Sequence, residues 1–133
     1  MTMSTSRVYR ADPESVGKRE QHHRAAFTAH RDVPMTVTVT VEGEIDALNS
    51  RELADYVQRH IAGCRHVVID LRLIDFLGTA GFAALHNINV ICSGSDATWT
   101  LQAGRQVRRL LAICDPEGVL PLEKSQALLT AVR

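Results

Sequence analysis

Residues 66–91, HVVIDLRLIDFLGTAGFAALHNINVI, predict a strand, a turn and a helix in direct succession. The run Val67-Val68-Ile69 is β-branched throughout, which is typical of a strand buried on both faces in a parallel sheet. After Leu77-Gly78 the apolar residues recur at helical spacing, so a helix should begin at Thr79. Its core-facing residues would be Ala84, Leu85, Ile88 and Ile91.

Thr79 occupies the position of an N-cap residue at the start of this helix. Its hydroxyl would accept hydrogen bonds from the free backbone N–H groups of the first turn, and the positive end of the helix dipole would favour an anion. A hydroxyl in this setting is a poor nucleophile, but it is well placed to carry a phosphate. From the residues alone, an ordinary N-cap is the simpler interpretation.

Residues 73–82, LIDFLGTAGF, resemble the signature of STAS domains of the anti-sigma factor antagonist type. In that family a hydrophobic strand leads through an aromatic residue to an Asp-Ser-Ser-Gly-like turn and then to a helix. Phe76 matches the aromatic position and Thr79 the phosphoaccepting hydroxyl. Ala80 matches the second serine and Gly81 the glycine.

A second segment and two departures complete the comparison with this family. Gly43-Glu44-Ile45-Asp46 is similar to its Gly-Glu-Leu-Asp-like corner, which follows an earlier strand. Gly78 stands where the family usually has aspartate, and Thr79 replaces the commoner serine. The resemblance extends from about Arg24 to the C-terminus and implies the STAS fold.

The resemblance also implies a function, that of an anti-sigma factor antagonist. Unmodified, the protein would bind an anti-sigma factor of the histidine-kinase-like ATPase type, a serine/threonine kinase, and so release a sigma factor for transcription. Phosphorylation of Thr79 by that partner would add about −1.5 to −2 charges to the contact face and weaken the complex. Two alternatives stay open: a STAS scaffold or partner-binding module that is not phosphorylated, and a thiol-based redox-sensing regulator.

The implied partner-binding face combines two loops. Because the strands before them would be parallel neighbours, the corner at 46–49 and the turn at 78–82 should lie at the same end of the sheet. Small residues around Thr79 would leave space for a partner to reach its hydroxyl. From sequence alone, Phe82 is somewhat more often a core residue than an exposed contact. The expected partner-binding residues are Asp46, Asn49, Gly78, Ala80, Gly81 and Phe82.

Length and composition favour a single cytoplasmic domain. A chain of 133 residues can bury a core without crosslinks. Fifteen basic and fifteen acidic side chains cancel, so no overall basic field favours nucleic acid. No apolar run approaches the roughly 20 residues that cross a bilayer, and the N-terminus lacks the apolar segment of a signal peptide. We expect a monomer or weak dimer without membrane contact.

Cysteine and histidine spacing indicates neither a metal site nor a cofactor. Cys64, Cys92 and Cys114 are scattered and odd in number, so three reduced thiols are the simpler interpretation.

Enzymatic motifs are equally weak, and we predict that the protein is not an enzyme. Gly78-Thr79-Ala80-Gly81 lacks the second glycine, lysine and hydroxyl residue of a phosphate-binding P-loop. Asp46, Asp70 and Asp75 fall near predicted strand ends, where solubilising loop charges are more frequent than acid–base pairs.

The N-terminal half predicts a tail, two strands and a helix. Residues 1–22 are polar and should form a flexible tail, which leaves 23–133 as the STAS domain. A weak strand at 24–30 and a turn at 31–34 precede residues 35–41, MTVTVTV, whose strict alternation predicts the clearest strand of the chain. Asn49 and Glu52 have capping-box spacing and predict a helix that Gly63 closes.

The C-terminal half predicts further α/β alternation: a strand at 98–101, a helix at 106–113, an edge strand at 119–122 and a last helix capped by Ser125. The predicted fold is therefore α/β, with a STAS-like single mixed β-sheet that combines an antiparallel N-terminal strand pair with parallel strands, and about four helices.

Overall fold

The computed structural model describes residues 17–33 and 35–123, which form one five-stranded mixed sheet with helices packed on it. The strands are β1 (Glu20–His22), β2 (Ala25–Val33), β3 (Thr36–Ile45), β4 (His66–Leu77) and β5 (Thr98–Ala103). The helices are α1 (Ser50–Ile61), α2 (Thr79–Gly94) and α3 (Arg105–Cys114). The strands lie in sequence order; β1, β2 and β3 are antiparallel, whereas β3, β4 and β5 are parallel.

This architecture confirms the predicted α/β fold with its antiparallel N-terminal strands and parallel C-terminal strands. The described residues contain three helices where about four were predicted, and the helix expected after Ser125 lies outside the described part of the chain. Within that part, no helix has both the length and the apolar character needed to cross a membrane.

The sheet reaches into the segment that the sequence predicted as a tail. Glu20 pairs with Phe27 in the β1–β2 ladder, and the Gly17 N–H donates to the Ala29 carbonyl at 2.8 Å. Sequence patterning missed β1 because its three residues, EQH, carry no apolar alternation. Residues 1–16 lie outside the described range, so flexibility there stays a prediction.

One face of the sheet carries the core. Val39 on β3 lies opposite Ile69 on β4 in the parallel register, and both are fully buried. Helix α1 covers this face, where the Tyr56 ring lies 5.4 Å from the Phe27 ring. Burial of the 67–69 run on both faces is not observed, because Val68 points to the opposite face and is only half-buried.

Strand β4 runs to Leu77, well beyond the β-branched run Val67-Val68-Ile69 from which it was predicted. Against β3, one extra residue enters β4 between Asp70 and Leu73 and another between Ile74 and Phe76. Each extra residue forms a bulge, which reverses the face that the next side chain meets. Buried positions therefore follow at intervals of three, at 71, 74 and 77, while Leu73 and Phe76 point to solvent.

The predicted edge strand at 119–122 is reduced to one parallel bridge between Leu101 and Leu122. The Leu101 N–H donates to the Pro121 carbonyl at 2.9 Å, and the Glu123 N–H donates to the Leu101 carbonyl at 2.7 Å. Pro121 has no N–H of its own, which limits a longer ladder at this edge.

Candidate functional site

The loops that follow β3 and β4 meet at one edge of the sheet. The two strands are parallel neighbours, and their registers end at Ile45 opposite Leu77. The Gly78 N–H donates to the Ile45 carbonyl at 3.0 Å, which joins the two loops directly. The expectation that the 46–49 corner and the 78–82 turn lie at the same end is confirmed.

Helix α2 begins at this junction with Thr79 as its first residue. Gly78 is the N-cap, in an extended conformation with φ −81° and ψ −178°, and its carbonyl accepts from the Phe82 N–H at 3.1 Å. The prediction that Thr79 is the N-cap was therefore wrong by one residue. Thr79 is exposed to solvent.

Gly81 allows α2 to lie close to the end of β3. A β-carbon at this position would overlap Leu77 Cδ1 and would lie only 2.9 Å from Ile45 Cγ2. Gly81, which was expected to contact a partner, is buried between the helix and the sheet and does not contribute to the accessible surface. It supports the site by bringing Thr79 beside the 46–49 corner.

Gly78 is half-buried and lies under the ring of Phe76. A β-carbon at position 78 would lie 3.2 Å from Phe76 Cε2 and 3.4 Å from Cζ. Such contacts are tight, so an aspartate here would require the ring to move. Phe76 itself is 52% exposed, so its ring adds apolar surface beside Thr79.

Asn49 is fully buried and holds the corner from inside. Its Oδ1 accepts from the Asp46 N–H at 3.0 Å, while its Nδ2 donates to the carbonyls of His22 and Glu44, both at 3.0 Å. The helix predicted from the capping-box spacing is confirmed, with Asn49 as the N-cap of α1, but the Asn49 side chain makes no capping hydrogen bond. Tertiary partners occupy both ends of the amide, and a partner protein cannot reach it.

Asp46 and Leu48 form the accessible part of this corner. Asp46 is half-buried, and its Oδ1 accepts from the Leu48 N–H at 2.9 Å. This short turn directs the Leu48 side chain outward, where it is 63% exposed. Sequence reasoning did not single out Leu48 as an exposed apolar side chain of this corner; the available signal was an aliphatic residue inside an otherwise polar corner.

Two grooves lie in this region, and Ala80 lines one of them, whereas Phe82 packs partly against the core. Phe82 is half-buried against the core, and its ring meets the His86 ring edge-on at 4.7 Å, so it serves both as packing and as surface. Ala80 lines a groove of about 170 Å³ between α1 and α2 that also includes Arg51. A groove of about 230 Å³ lies beside Phe76, between the end of β4 and α3. The residues that line the second groove are Asp75, Phe76, Leu77, Gln106, Val107 and Leu110.

We call the accessible part of this region the Thr79 face. It consists of Asp46, Leu48, Phe76, Thr79, Ala80 and the exposed part of Phe82. The face combines a hydroxyl at a helix start with exposed apolar side chains, supported from below by Asn49 and Gly81.

A family model described as the STAS domain matches residues 26–127. The chain belongs to the STAS domain family.

Solved structures agree on the fold of this STAS domain. An anti-sigma factor antagonist from Mycobacterium paratuberculosis is similar, with 25% sequence identity and a TM-score of 0.63 over 92% of this chain and 98% of that one. The anti-sigma factor antagonist SpoIIAA, in its unphosphorylated form, has a TM-score of 0.60 over 80% of this chain and 96% of that one. At 13% identity, SpoIIAA shows likeness of fold alone.

Among curated proteins, the STAS domain resembles osmosensory protein A of Mycobacterium tuberculosis. The two are 30% identical over 95 residues, which cover 68% of this chain. The match covers 60% of that relative's length.

The three carboxylates near strand ends in this STAS domain, Asp46, Asp70 and Asp75, have different surroundings. Burial of Asp70 acts to raise its pKa, but hydrogen bonds from Arg72 and the charge of that guanidinium prevail, so the pKa is lowered. Arg72 donates from Nε and from Nη2 to the two carboxylate oxygens, each at 2.9 Å. Asp46 is held by the Leu48 N–H, and Asp75 is exposed. Among the described residues, no group of three or more His, Cys, Asp and Glu is arranged to hold a metal ion.

The thiols of this STAS domain are mostly enclosed. Cys64 and Cys92 are buried, and burial raises the pKa of Cys92 to about 11. A thiol of this kind is a poor nucleophile near neutral pH, because reaction requires the thiolate. Cys114, at the end of α3, is exposed.

Proposed function

We propose that this STAS domain protein is an anti-sigma factor antagonist, a regulatory binding protein without enzymatic activity of its own. In its unmodified form it binds a histidine-kinase-like anti-sigma factor through the Thr79 face and so releases a sigma factor. The observation that carries the proposal is the exposed Thr79 at the start of α2, joined to the 46–49 corner by the Gly78–Ile45 hydrogen bond. Similarity to the antagonist from Mycobacterium paratuberculosis supports it.

The chemistry of the Thr79 face supports a protein partner. Leu48 is 63% and Phe76 52% exposed. Large apolar side chains exposed around a polar centre are typical of protein-binding surfaces. Gly78 and Ala80 flank the hydroxyl with minimal bulk, so a kinase active site can approach Thr79 closely. We therefore propose Asp46, Leu48, Phe76, Ala80 and Phe82 as contacts, with Asn49, Gly78 and Gly81 as their support.

Phosphorylation of Thr79 supplies the switch in this proposal. A phosphate adds about −1.5 to −2 charges to the face. Within the domain the start of α2 stabilises this charge, because its first N–H groups point outward and the helix dipole is positive there. In the complex the phosphate must be desolvated beside apolar Leu48 and Phe76, which is unfavourable unless the partner supplies a cation. A cost of about 3 kcal/mol weakens binding more than a hundredfold.

The test uses the purified chain, candidate histidine-kinase-like anti-sigma factors from the same source, and magnesium ATP. Intact mass and peptide mapping report the phosphate, while calorimetry reports binding. Thr79→Ala should bind but gain no phosphate. Ser93→Ala, which removes an exposed hydroxyl at the opposite end of α2, should behave as the wild type. Failure of the wild type to bind every candidate would overturn the proposed function.

A constitutive binding module is the second candidate, and Gly78 favours it. The position carries no charge for a kinase to recognise, and the Phe76 ring lies against it. In that case the wild type binds tightly and gains no mass with ATP. The redox alternative receives less support, since Cys64 and Cys92 are buried.

A further inference from the structure

The buried amide of Asn49 connects three separate parts of the chain. Its oxygen accepts from the Asp46 N–H, and its nitrogen donates to Glu44 at the end of β3 and to His22, which lies 27 residues earlier at the end of β1. An asparagine side chain has one acceptor oxygen and two N–H donors. Each of these groups is matched by a backbone group at 3.0 Å, so the amide leaves nothing for a partner protein.

Strand β1 has few other attachments. It contains three residues and pairs with β2 alone. Its Glu20 carboxylate accepts from both terminal nitrogens of Arg59 on α1, at 2.9 and 3.1 Å. The His22 ring stacks on Phe27 with a centroid distance of 4.8 Å. The hydrogen bond from Asn49 to the His22 carbonyl joins this short edge strand to the 46–49 corner.

A chain of hydrogen bonds leads from β1 to the Thr79 face. His22 accepts from Asn49, Asn49 accepts from the Asp46 N–H, and the Asp46 carboxylate accepts from the Leu48 N–H at 2.9 Å. Leu48 is the exposed end of this series. Loss of the Asn49 donor would leave the partly buried carbonyl oxygens of His22 and Glu44 without this hydrogen bond, and opening of the corner would expose them to water instead.

We propose that Asn49 is a positioning residue that sets the partner affinity of the Thr79 face by fastening the 46–49 corner to β1. The N-terminal edge strand thereby tunes a surface that it does not itself form. This inference rests on the proposed function for its binding readout, but its structural readout needs no partner.

The principal test is Asn49→Asp. This variant keeps the size of the side chain and the Oδ1 acceptor for Asp46, but it places a carboxylate oxygen against the carbonyls of His22 and Glu44. Amide hydrogen exchange at Leu48 and along β1 should accelerate at least about tenfold. The Kd for the anti-sigma factor should rise at least about tenfold at a temperature where the variant is fully folded.

The matched control is Val57→Ala, which removes buried volume from α1 away from the corner. Val57→Ala should lower the melting temperature and leave the Kd unchanged. Exchange of the Leu48 amide should accelerate no more than the loss of global stability accounts for. If Val57→Ala weakens binding as much as Asn49→Asp at equal loss of stability, Asn49 acts only through global stability and the proposal is wrong.

A second variant keeps the test decisive if Asn49→Asp does not fold. Glu20→Gln removes the charge that holds β1 to Arg59 of α1. Its control is Gln58→Ala, which changes an exposed residue beside Arg59 on α1. Glu20→Gln should accelerate exchange at both β1 and Leu48 and weaken binding in the same direction as Asn49→Asp. Faster exchange at β1 with unchanged exchange at Leu48 would overturn the proposal.

If no anti-sigma factor binds the wild type, the proposed function fails, whereas the exchange rates still decide the role of Asn49.

Discussion

Replacement of Gly81 by alanine should destabilise the protein, whereas the same replacement at Gly94 in the same helix should not. At position 81 the new methyl group overlaps Leu77 and lies 2.9 Å from Ile45 Cγ2, both of which are buried. At position 94 no atom lies within 4 Å of the added carbon, and the backbone φ is not positive. The two substitutions are chemically identical, so the difference between their effects on the free energy of unfolding reports the close packing of α2 on β3.

The expected magnitudes follow from two opposing effects. Alanine in place of glycine stabilises a helix by about 0.5–1 kcal/mol, with the smaller value expected at Gly94 because it ends the helix. Insertion of a methyl group into a filled core costs about 1–3 kcal/mol. Gly94→Ala should therefore be neutral or slightly more stable than the wild type. Gly81→Ala should be less stable than Gly94→Ala by about 0.5–2.5 kcal/mol, because the larger helix gain at position 81 offsets part of the insertion cost. Each kcal/mol lowers the Tm by roughly 3–5 °C in a chain of this size.

Urea denaturation followed by tryptophan fluorescence measures this difference. The chain has one tryptophan, Trp99, which is 7% exposed and donates from Nε1 to Asn89 of α2 at 2.8 Å, so its emission reports the packing of that helix. The slopes of the transitions should agree, so that midpoints report stability. Equal stability of the two variants would refute the close approach that places Thr79 beside the 46–49 corner.

Three further predictions concern titratable groups. The Tyr56 hydroxyl is buried without a hydrogen-bond partner among the described residues, and burial raises its pKa to about 12. Because the tyrosine of the unfolded chain ionises at a lower pH than that of the folded protein, the free energy of unfolding should fall by about 1.4 kcal/mol per pH unit between about pH 10 and 12. In urea titrations, Tyr56→Phe should remove this pH dependence without a loss of stability at pH 7. The pKa of Asp70 is lowered because Arg72 outweighs burial, so the stability that the ionised carboxylate contributes is present above about pH 4 and is lost on acidification. The difference in unfolding free energy between the wild type and Asp70→Asn should therefore narrow as the pH falls. A difference that stays constant with pH would contradict the pairing with Arg72. Maleimide labelling followed by mass spectrometry should show rapid modification of the exposed Cys114. Cys92 should react only after unfolding, because it is buried and burial raises its pKa to about 11. Rapid labelling of Cys92 in the folded protein would show that this thiol is accessible.

The parts of the fold that sequence reasoning recovered have strong local periodicity. The valines and threonines of residues 35–41 alternate because one face of β3 meets the core and the other does not, and the burial pattern follows that alternation. Helix α1 likewise buries apolar residues that recur at helical spacing, namely Leu53, Tyr56, Val57 and Ile61. In these elements the local pattern and the tertiary environment agree.

The end of β4 was not predictable from a period of two. Two bulges insert one residue each, so the buried positions shift to intervals of three and Leu73 and Phe76 turn outward. A bulge depends on the register with the neighbouring strand, which a single sequence does not display. The exposed aromatic residue beside Thr79 therefore emerged only from the structure.

The support of the candidate site depends on contacts between distant residues. Asn49 has the spacing of a helix cap relative to Glu52, yet its amide bonds to His22, and β1 is held by an ion pair that spans 39 residues. Local spacing predicted where α1 begins, but tertiary partners determine what the Asn49 side chain does. The family resemblance pointed to Thr79 and the corner, but it did not distinguish the exposed residues of this region from the buried ones.

Release of a sigma factor tests the central claim most directly. A fluorescently labelled sigma factor is first bound to its histidine-kinase-like anti-sigma factor, and anisotropy is followed as the chain is added. The unmodified protein should displace the sigma factor in a saturable manner, and Thr79→Glu should require at least about tenfold more protein for the same release. No displacement by the wild type, or equal displacement by Thr79→Glu, would contradict the proposed switch at the Thr79 face.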